Sequence, residues 1–320
     1  QQIIHFYKPQ EKSEPVLETK MSFNCRLCKT CHGKGCIGEL PGMGGFNGSV
    51  NFQSNCRDWK NIRKEIDNFS TISKNLKMPK IRLAPITGAV ENVGWTDEES
   101  FYFEMTKAAY ESGAKLSIGD GCPDIKIQNG IKAIKALQDS NPQENPKAAV
   151  FIKPYPNPKI QERIDWAKDV AEIVGVDIDS YNIVTMRNLV QLERKTPAQI
   201  QELKKYAKLP FAIKGVFTQN DVELVKEIKP EIVVISNHGG RVENRLGSTA
   251  MFLKEYGSEL KNYCDQLWVD GGLRTKKDLL TASYFGVSEV MLGRPFITAL
   301  CRGGSEEVCK MVNYLGKGKP

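Results

Sequence analysis

The sequence is poor in histidine and has no long apolar run. Three histidines serve 320 residues, at positions 5, 32 and 238. Beyond residue 32 a metal site built from several imidazoles is therefore excluded. The longest apolar runs, "AAVFI" and "IVVI", fall far short of the ~20 residues a spanning helix needs, so no membrane span is expected. No basic-then-apolar leader opens the chain, and no GxGxxG fingerprint follows the first strand-like run. There is no basic arm either: the net charge of +7 is spread along the chain. A nucleic-acid footprint clusters, so no nucleic-acid partner is expected and small anions are favoured. Nine cysteines without a secretory signal predict a reducing, cytoplasmic setting, where thiols bind metal, react or lie buried.

What is present is a rhythm. Strand-like runs occur at "IRLAP" (81–85), "KLSIG" (115–119), "AAVFIKPY" (148–155) and "IVGVDI" (173–178). Four more follow at "FAIKG" (211–215), "EIVVIS" (231–236), "LWVDG" (267–271) and "EVMLG" (289–293). Helical stretches lie between them, with start signals at Thr96 to Glu99, Thr196-Pro197, Thr218 and Thr275. Eight strands alternating with helices, apolar on both faces, predict an α/β fold of the (β/α)8 TIM-barrel type rather than an open doubly wound sheet. Residues 1–60 lack the rhythm: they carry Pro9, Pro15 and Pro41, the patch "PGMGGFNG" and four clustered cysteines. They read as an irregular, Cys-rich N-terminal extension ending in a short helix, "CRDWKNIRKEI", with the barrel over 61–320.

In such a barrel the site forms at the C-terminal ends of the strands. Tyr155, Asp177, Lys214, His238, Arg241, Asp270, Arg274 and Arg294 all fall there. "DGGLR" and "LGRP" close the last two strands; their glycines admit an anion to backbone N–H groups and their arginines add bidentate contacts, the usual phosphate grip of this fold. Lys214 in "AIKG" suits either a Schiff base or the negative charge of a cofactor. His238 in "SNHGGR" is read as a general base, with metal ligation and a structural core position as the other readings.

"AIKG", "SNHGGR", "VDGGLR" and "LGRP", in that order on strands 5 to 8, resemble the FMN-dependent α-hydroxy-acid oxidase/dehydrogenase family, which includes glycolate and lactate oxidases. The resemblance spans about residues 50–320 and is most specific in the second half. It implies FMN, with Pro85, Ile86 and Thr87 of "LAPITGA" near the ring and Ser117, Lys153, Lys214 and Ser236 around it. It assigns Asp270, Gly271, Gly272, Arg274, Gly293 and Arg294 to the ribityl phosphate end. It makes His238 the base, oriented by Asp177, and gives the substrate to Arg241 and Tyr155. The implied reaction takes a small 2-hydroxy acid to the 2-oxo acid, with two electrons passed to flavin N5 as a hydride or by a carbanion-like route. Two departures stand out: Lys153 holds a place where the family commonly has a polar amide, and the N-terminal segment offers no second substrate tyrosine.

Alternatives are an FMN-dependent isomerase of the type 2 isopentenyl diphosphate isomerase kind, a nucleotide-binding barrel similar to inosine monophosphate dehydrogenase, and a non-catalytic flavin carrier. The second wants a cysteine on strand 6, and none lies between Cys122 and Cys264. Cys25, Cys28, Cys31 and Cys36, spaced C-x₂-C-x₂-C-x₄-C, suit zinc or an iron–sulfur cluster, and a cluster would feed an electron-acceptor protein. A homo-oligomer is expected.

Overall fold

The computed structural model describes residues 50–90, 95–182, 190–242 and 244–316. The four clustered cysteines at 25, 28, 31 and 36 lie outside the described residues.

Eight parallel strands form the core: Lys80–Leu83 (β1), Leu116–Gly119 (β2), Ala148–Ile152 (β3) and Ala171–Asp177 (β4). The rest are Phe211–Val216 (β5), Ile232–Ile235 (β6), Gln266–Val269 (β7) and Glu289–Leu292 (β8). They pair in the order β1-β8-β7-β6-β5-β4-β3-β2. Two backbone bonds, Lys115 N to Ile81 O and Leu83 N to Lys115 O, join β1 to the start of β2 and close the barrel.

Helices Val50–Lys64 (α1) and Phe69–Ile72 (α2) precede β1, and Glu98–Glu111 (α3), Ile125–Ser140 (α4) and Asn157–Ala167 (α5) follow the first three strands. Pro197–Ala207 (α6), Gln219–Ile228 (α7), Thr249–Leu260 (α8), Lys276–Tyr284 (α9) and Arg294–Gly316 (α10) complete the outer ring. The strands are buried on both faces because helices cover them outside and side chains fill them inside. Phe151, Ile173, Val234, Trp268 and Met291 belong to the inner cluster. Arg82 lies over the Trp268 ring at 4.6 Å and pairs with Glu289 at 2.7 Å.

The expected starts at Thr196, Thr218 and Thr275 all hold, each as a capping box, with Gln199, Asp221 and Asp278 as reciprocal partners. The one expected at Thr96 does not. Asp97 caps α3 instead, its carboxylate accepting from Ser100 N at 2.7 Å. Glu98 then reaches back to Ala89 N and Val90 N, both at 3.1 Å.

A boundary at residue 60 falls inside α1, which docks on the barrel mouth. Asn51 donates to Val242 O, Asn55 to the Asn237 side chain, and Trp59 Nε1 to Gly271 O at 2.8 Å. Gly272, at φ +77°, lets this helix approach, because a Cβ there would overlap the Asn55 carbonyl. Among the described residues no helix is long and apolar enough to cross a membrane.

Candidate active site

The registers of the strands bring the charges together. Asp177 is level with Lys214 across β4 and β5, and Ile152 with Val176 across β3 and β4. Lys153 therefore arrives beside Asp177 one residue later. Lys153 Nζ lies 2.9 Å from Asp177 Oδ2, and Lys214 Nζ lies 3.1 Å from Asp177 Oδ1. All three are buried. Burial opposes ionisation of Asp177, yet Lys153, Lys214 and His238 hold it well below the usual carboxylate range. Burial likewise works against the Lys214 charge, but Asp177, Asp270 and Asp179 more than offset it and keep the ammonium above the usual lysine range. A Schiff-base lysine needs the opposite, a lowered value.

His238 sits in the turn after β6 with φ +56°, a left-handed conformation that strains a non-glycine residue. Its Nδ1 is 2.9 Å from both oxygens of Asp179. A carboxylate only accepts, so Nδ1 carries the hydrogen and Nε2 the lone pair. The Nε2 side faces Lys153 Nζ at 3.1 Å, with Asp177 Oδ2 at 3.8 Å. Burial drives His238 down to about 4; Asp179 opposes the shift, while Lys214 and Lys153 add to it. The ring is thus neutral at physiological pH with its lone pair on Nε2, the state a general base needs.

The orienting carboxylate is a correction to the sequence reading. Asp177 does not meet His238 Nδ1; it pairs with the two lysines, and Asp179, two residues on, holds Nδ1. Gly215 makes this possible, since at φ +97° it carries no Cβ where the Asp179 carboxyl lies. Interactions then run from the ring back to the residue's own backbone. Lys214 Nζ is 4.0 Å from Asp270, Ser236 Oγ donates to Asp270 at 2.8 Å, and His238 N donates to Ser236 Oγ at 3.2 Å. Burial pushes Asp270 up to about 6, with Lys214 and Ser236 opposing. Asp177, Asp179 and His238 bring donor atoms within 4.8 Å of one another, a spacing open to a cation, and the Lys153 and Lys214 ammoniums supply the positive charge there.

A recess at this rim is lined by Pro85, Ile86, Thr87, Lys153, Lys214, His238, Arg241, Asp270, Gly271, Gly272, Arg274, Gly293 and Arg294. Thirteen of the predicted site residues therefore share one wall. Arg241 is largely desolvated, and its Nε has no hydrogen-bond partner among the described residues. Burial pulls its pKa down to about 10, with Asp270, Asp179 and Asp177 opposing. Arg294 lies under the turn, stacked on Phe52 of α1 at 4.6 Å.

Ser117, Tyr155, Asp177 and Ser236 do not line the recess. Asp177 and Ser236 act from behind it, through the lysines and Asp270. Tyr155 lies between Lys159 at 4.3 Å and Arg163 at 4.5 Å, with its hydroxyl buried. Arg163 pairs with Asp120 at 3.0 Å, and Asp120 accepts from Lys153 N at 3.3 Å, so this group supports Lys153. Ser117 is buried on β2. A larger cavity of about 830 Å³ lies against α6 and α7, lined by Asp221, Glu223 and Glu227 among others. It lacks the histidine, the glycine turns and the paired lysines that line the smaller recess.

The residues fit an FMN by their chemistry. A phosphate needs cations and close backbone, which Arg274, Arg294 and the glycines at 271, 272 and 293 provide. A Cβ on Gly293 would meet only Ala84, at 3.7 Å, and would project into free space on that wall.

The family model described as FMN-dependent dehydrogenase matches residues 137–318, more than half of the chain. Over 113 residues the chain is 38% identical to a 2-hydroxyacid oxidase of Dictyostelium discoideum, covering 35% of this chain and 29% of that protein. Over 120 residues it is 42% identical to an L-lactate dehydrogenase (cytochrome) of Saccharomyces cerevisiae, covering 36% of this chain and 20% of that one. The chain thus spans less than a third of the length of these relatives. A solved mandelate oxidase variant with (S)-mandelic acid has a TM-score of 0.65 at 17% identity, covering 87% of this chain and 88% of the other, a likeness of fold.

Proposed function

The chain belongs to the FMN-dependent dehydrogenase family, and from that premise we propose that it oxidises a small 2-hydroxy acid to the 2-oxo acid. The observation that carries this reading is the 2.9 Å pairing of His238 Nδ1 with Asp179, which puts the ring's lone pair on Nε2, with Arg241 in the same recess. Arg241 pairs with the substrate carboxylate, a bidentate match that turns the rest of the molecule towards the base. Tyr155, expected to meet the substrate, lies off the recess against Arg163, whose partner Asp120 also accepts from Lys153 N. His238 Nε2 accepts one proton from the substrate, and the Asp179 carboxylate stabilises the imidazolium that results. FMN, when bound, supplies the two-electron acceptor. Lys214, held protonated, would hold negative charge at the ring, and Arg274, Arg294 and the glycines at 271, 272 and 293 would hold the phosphate. An isomerase has no use for a base paired with a carboxylate clamp, so that reading is set aside.

The first test is chemical. Denatured protein should release FMN rather than FAD, and anaerobic incubation with glycolate, lactate and mandelate should yield one 2-oxo acid per flavin. FAD, or no flavin, would refute the assignment. Cys25, Cys28, Cys31 and Cys36 are proposed to bind zinc or an iron–sulfur cluster, the latter passing electrons to an acceptor protein. Metal analysis after anaerobic purification decides between them, and a protein with neither ends that part. A cytoplasmic location and a homo-oligomeric state belong to the same proposal; a peroxisomal oxidase of Arabidopsis thaliana is among the relatives.

A further inference from the structure

Lys153 stands where a substrate has to be. Its Nζ is 3.1 Å from His238 Nε2 and 2.9 Å from Asp177 Oδ2. An ammonium has donors only, and a neutral imidazole nitrogen offers one lone pair, so in the resting site that lone pair is taken. A proton to be removed has to come within about 2.6–3.2 Å of the same atom. Ammonium and substrate cannot both hold it.

We propose that Lys153 is a positioning residue that caps the base in the resting site and releases Nε2 when a carboxylate ligand draws the ammonium away. Asp177, fixed on its other side by Lys214 at 3.1 Å, keeps the ammonium anchored through the exchange. The Asp120–Arg163 pair holds the lysine's backbone in place, so only the end of the side chain has to move. The base is then exposed in the presence of an anionic ligand and covered without one. This rests on the 2-hydroxy acid reading in one respect, that the uncovering ligand is a carboxylate.

The cap also keeps a proton off His238. The groups facing the ring are Asp179 on Nδ1, Lys153 and Asp177 on the Nε2 side, and Lys214 and Arg241 on the same recess wall; Arg294 lies under Gly239, and Asp270 acts through Ser236. Removing the Lys153 charge leaves the attraction of both carboxylates less opposed, so His238 should take up a proton at higher pH.

The test uses flavin-loaded protein with ¹⁵N-labelled histidine. Only three histidines are present, and His238→Ala identifies the third resonance. Lys153→Met should raise the His238 titration midpoint by on the order of one to three pH units, whereas Lys153→Arg should leave it low. The acid limb of flavin reduction should move by the same amount in Lys153→Met, and KM should rise by a larger factor than kcat falls. Oxalate, an unreactive carboxylate, should bind Lys153→Met at least roughly ten-fold more weakly than the parent protein. A merely structural lysine would lower thermal stability and leave the His238 midpoint in place. If Lys153→Met loses its flavin, Lys153→Gln carries the same comparison. A His238 midpoint unchanged in the neutral variant, or unchanged oxalate affinity, overturns the proposal. The titration needs no substrate. If the 2-hydroxy acid reading fails, it shows separately, as a parent protein that no 2-hydroxy acid reduces.

Discussion

Replacing Asp179 by asparagine removes one buried negative charge and keeps the shape. In the parent protein both Asp179 oxygens lie 2.9 Å from His238 Nδ1. A hydrogen bond to a charged group contributes about 1.5–3 kcal/mol, so losing it in the state where His238 carries the proton costs roughly 10- to 200-fold in rate. A second effect adds to this. An amide can turn its NH₂ towards Nδ1, which favours the tautomer with hydrogen on Nε2 and leaves no lone pair for the substrate. Together the two predict a loss of ~10²–10⁴ in the rate of flavin reduction, with flavin content unchanged. The loss should be flat from pH 6 to 8. Asp179 raises the His238 pKa, so its removal moves a value of about 4 further down and brings no new titration into that range. Anaerobic stopped-flow reduction at several pH values measures this. A variant that reduces at the parent rate, or whose deficit recovers with pH, would show that Asp179 does not orient the base.

Three further outcomes follow from the same geometry. Arg294→Ala should weaken FMN retention, read as flavin lost on gel filtration, while the apoprotein keeps its far-UV spectrum. Gly272→Ala places a Cβ on the Asn55 carbonyl at a residue with φ +77° and should cost about 3 kcal/mol or more, seen in urea unfolding. His238→Ala should flatten part of the pH dependence of stability. The folded-state pKa of about 4 lies below the unfolded ~6.5, so the contribution is present above pH ~6.5 and fades as pH falls towards 4. That contribution is about 3 kcal/mol across the window, and the variant should lack it.

The barrel was legible because each strand is a short apolar run between turn signals, a pattern local to four to seven residues. All eight strands fall within a few residues of their expected places. The boxes at Thr196, Thr218 and Thr275 formed for the same reason, since cap and partner are three residues apart. At Thr96 the choice between adjacent residues went to Asp97, whose carboxylate is the stronger acceptor. The site was legible as a set of polar residues at strand ends, but not its internal pairing. "VDID" offers two carboxylates, and only the three-dimensional path of β5, with Gly215 making room, decides which one meets His238. The docking of α1 left no local trace: Asn55 reaches Asn237, 182 positions away. Tyr155, off the recess, stacks on Arg163, a residue of α5 with no motif around it.

The central claim is that His238 removes a proton from a 2-hydroxy acid bound beside FMN. Anaerobic mixing of the flavin-loaded protein with glycolate, lactate and mandelate, followed at the flavin absorbance, tests it most directly. Bleaching by at least one acid in the parent protein, slowed ~10²–10⁴-fold in a His238→Ala variant that keeps its flavin, is the predicted result. A flavin that stays oxidised with every acid, or that bleaches equally fast without His238, would contradict it.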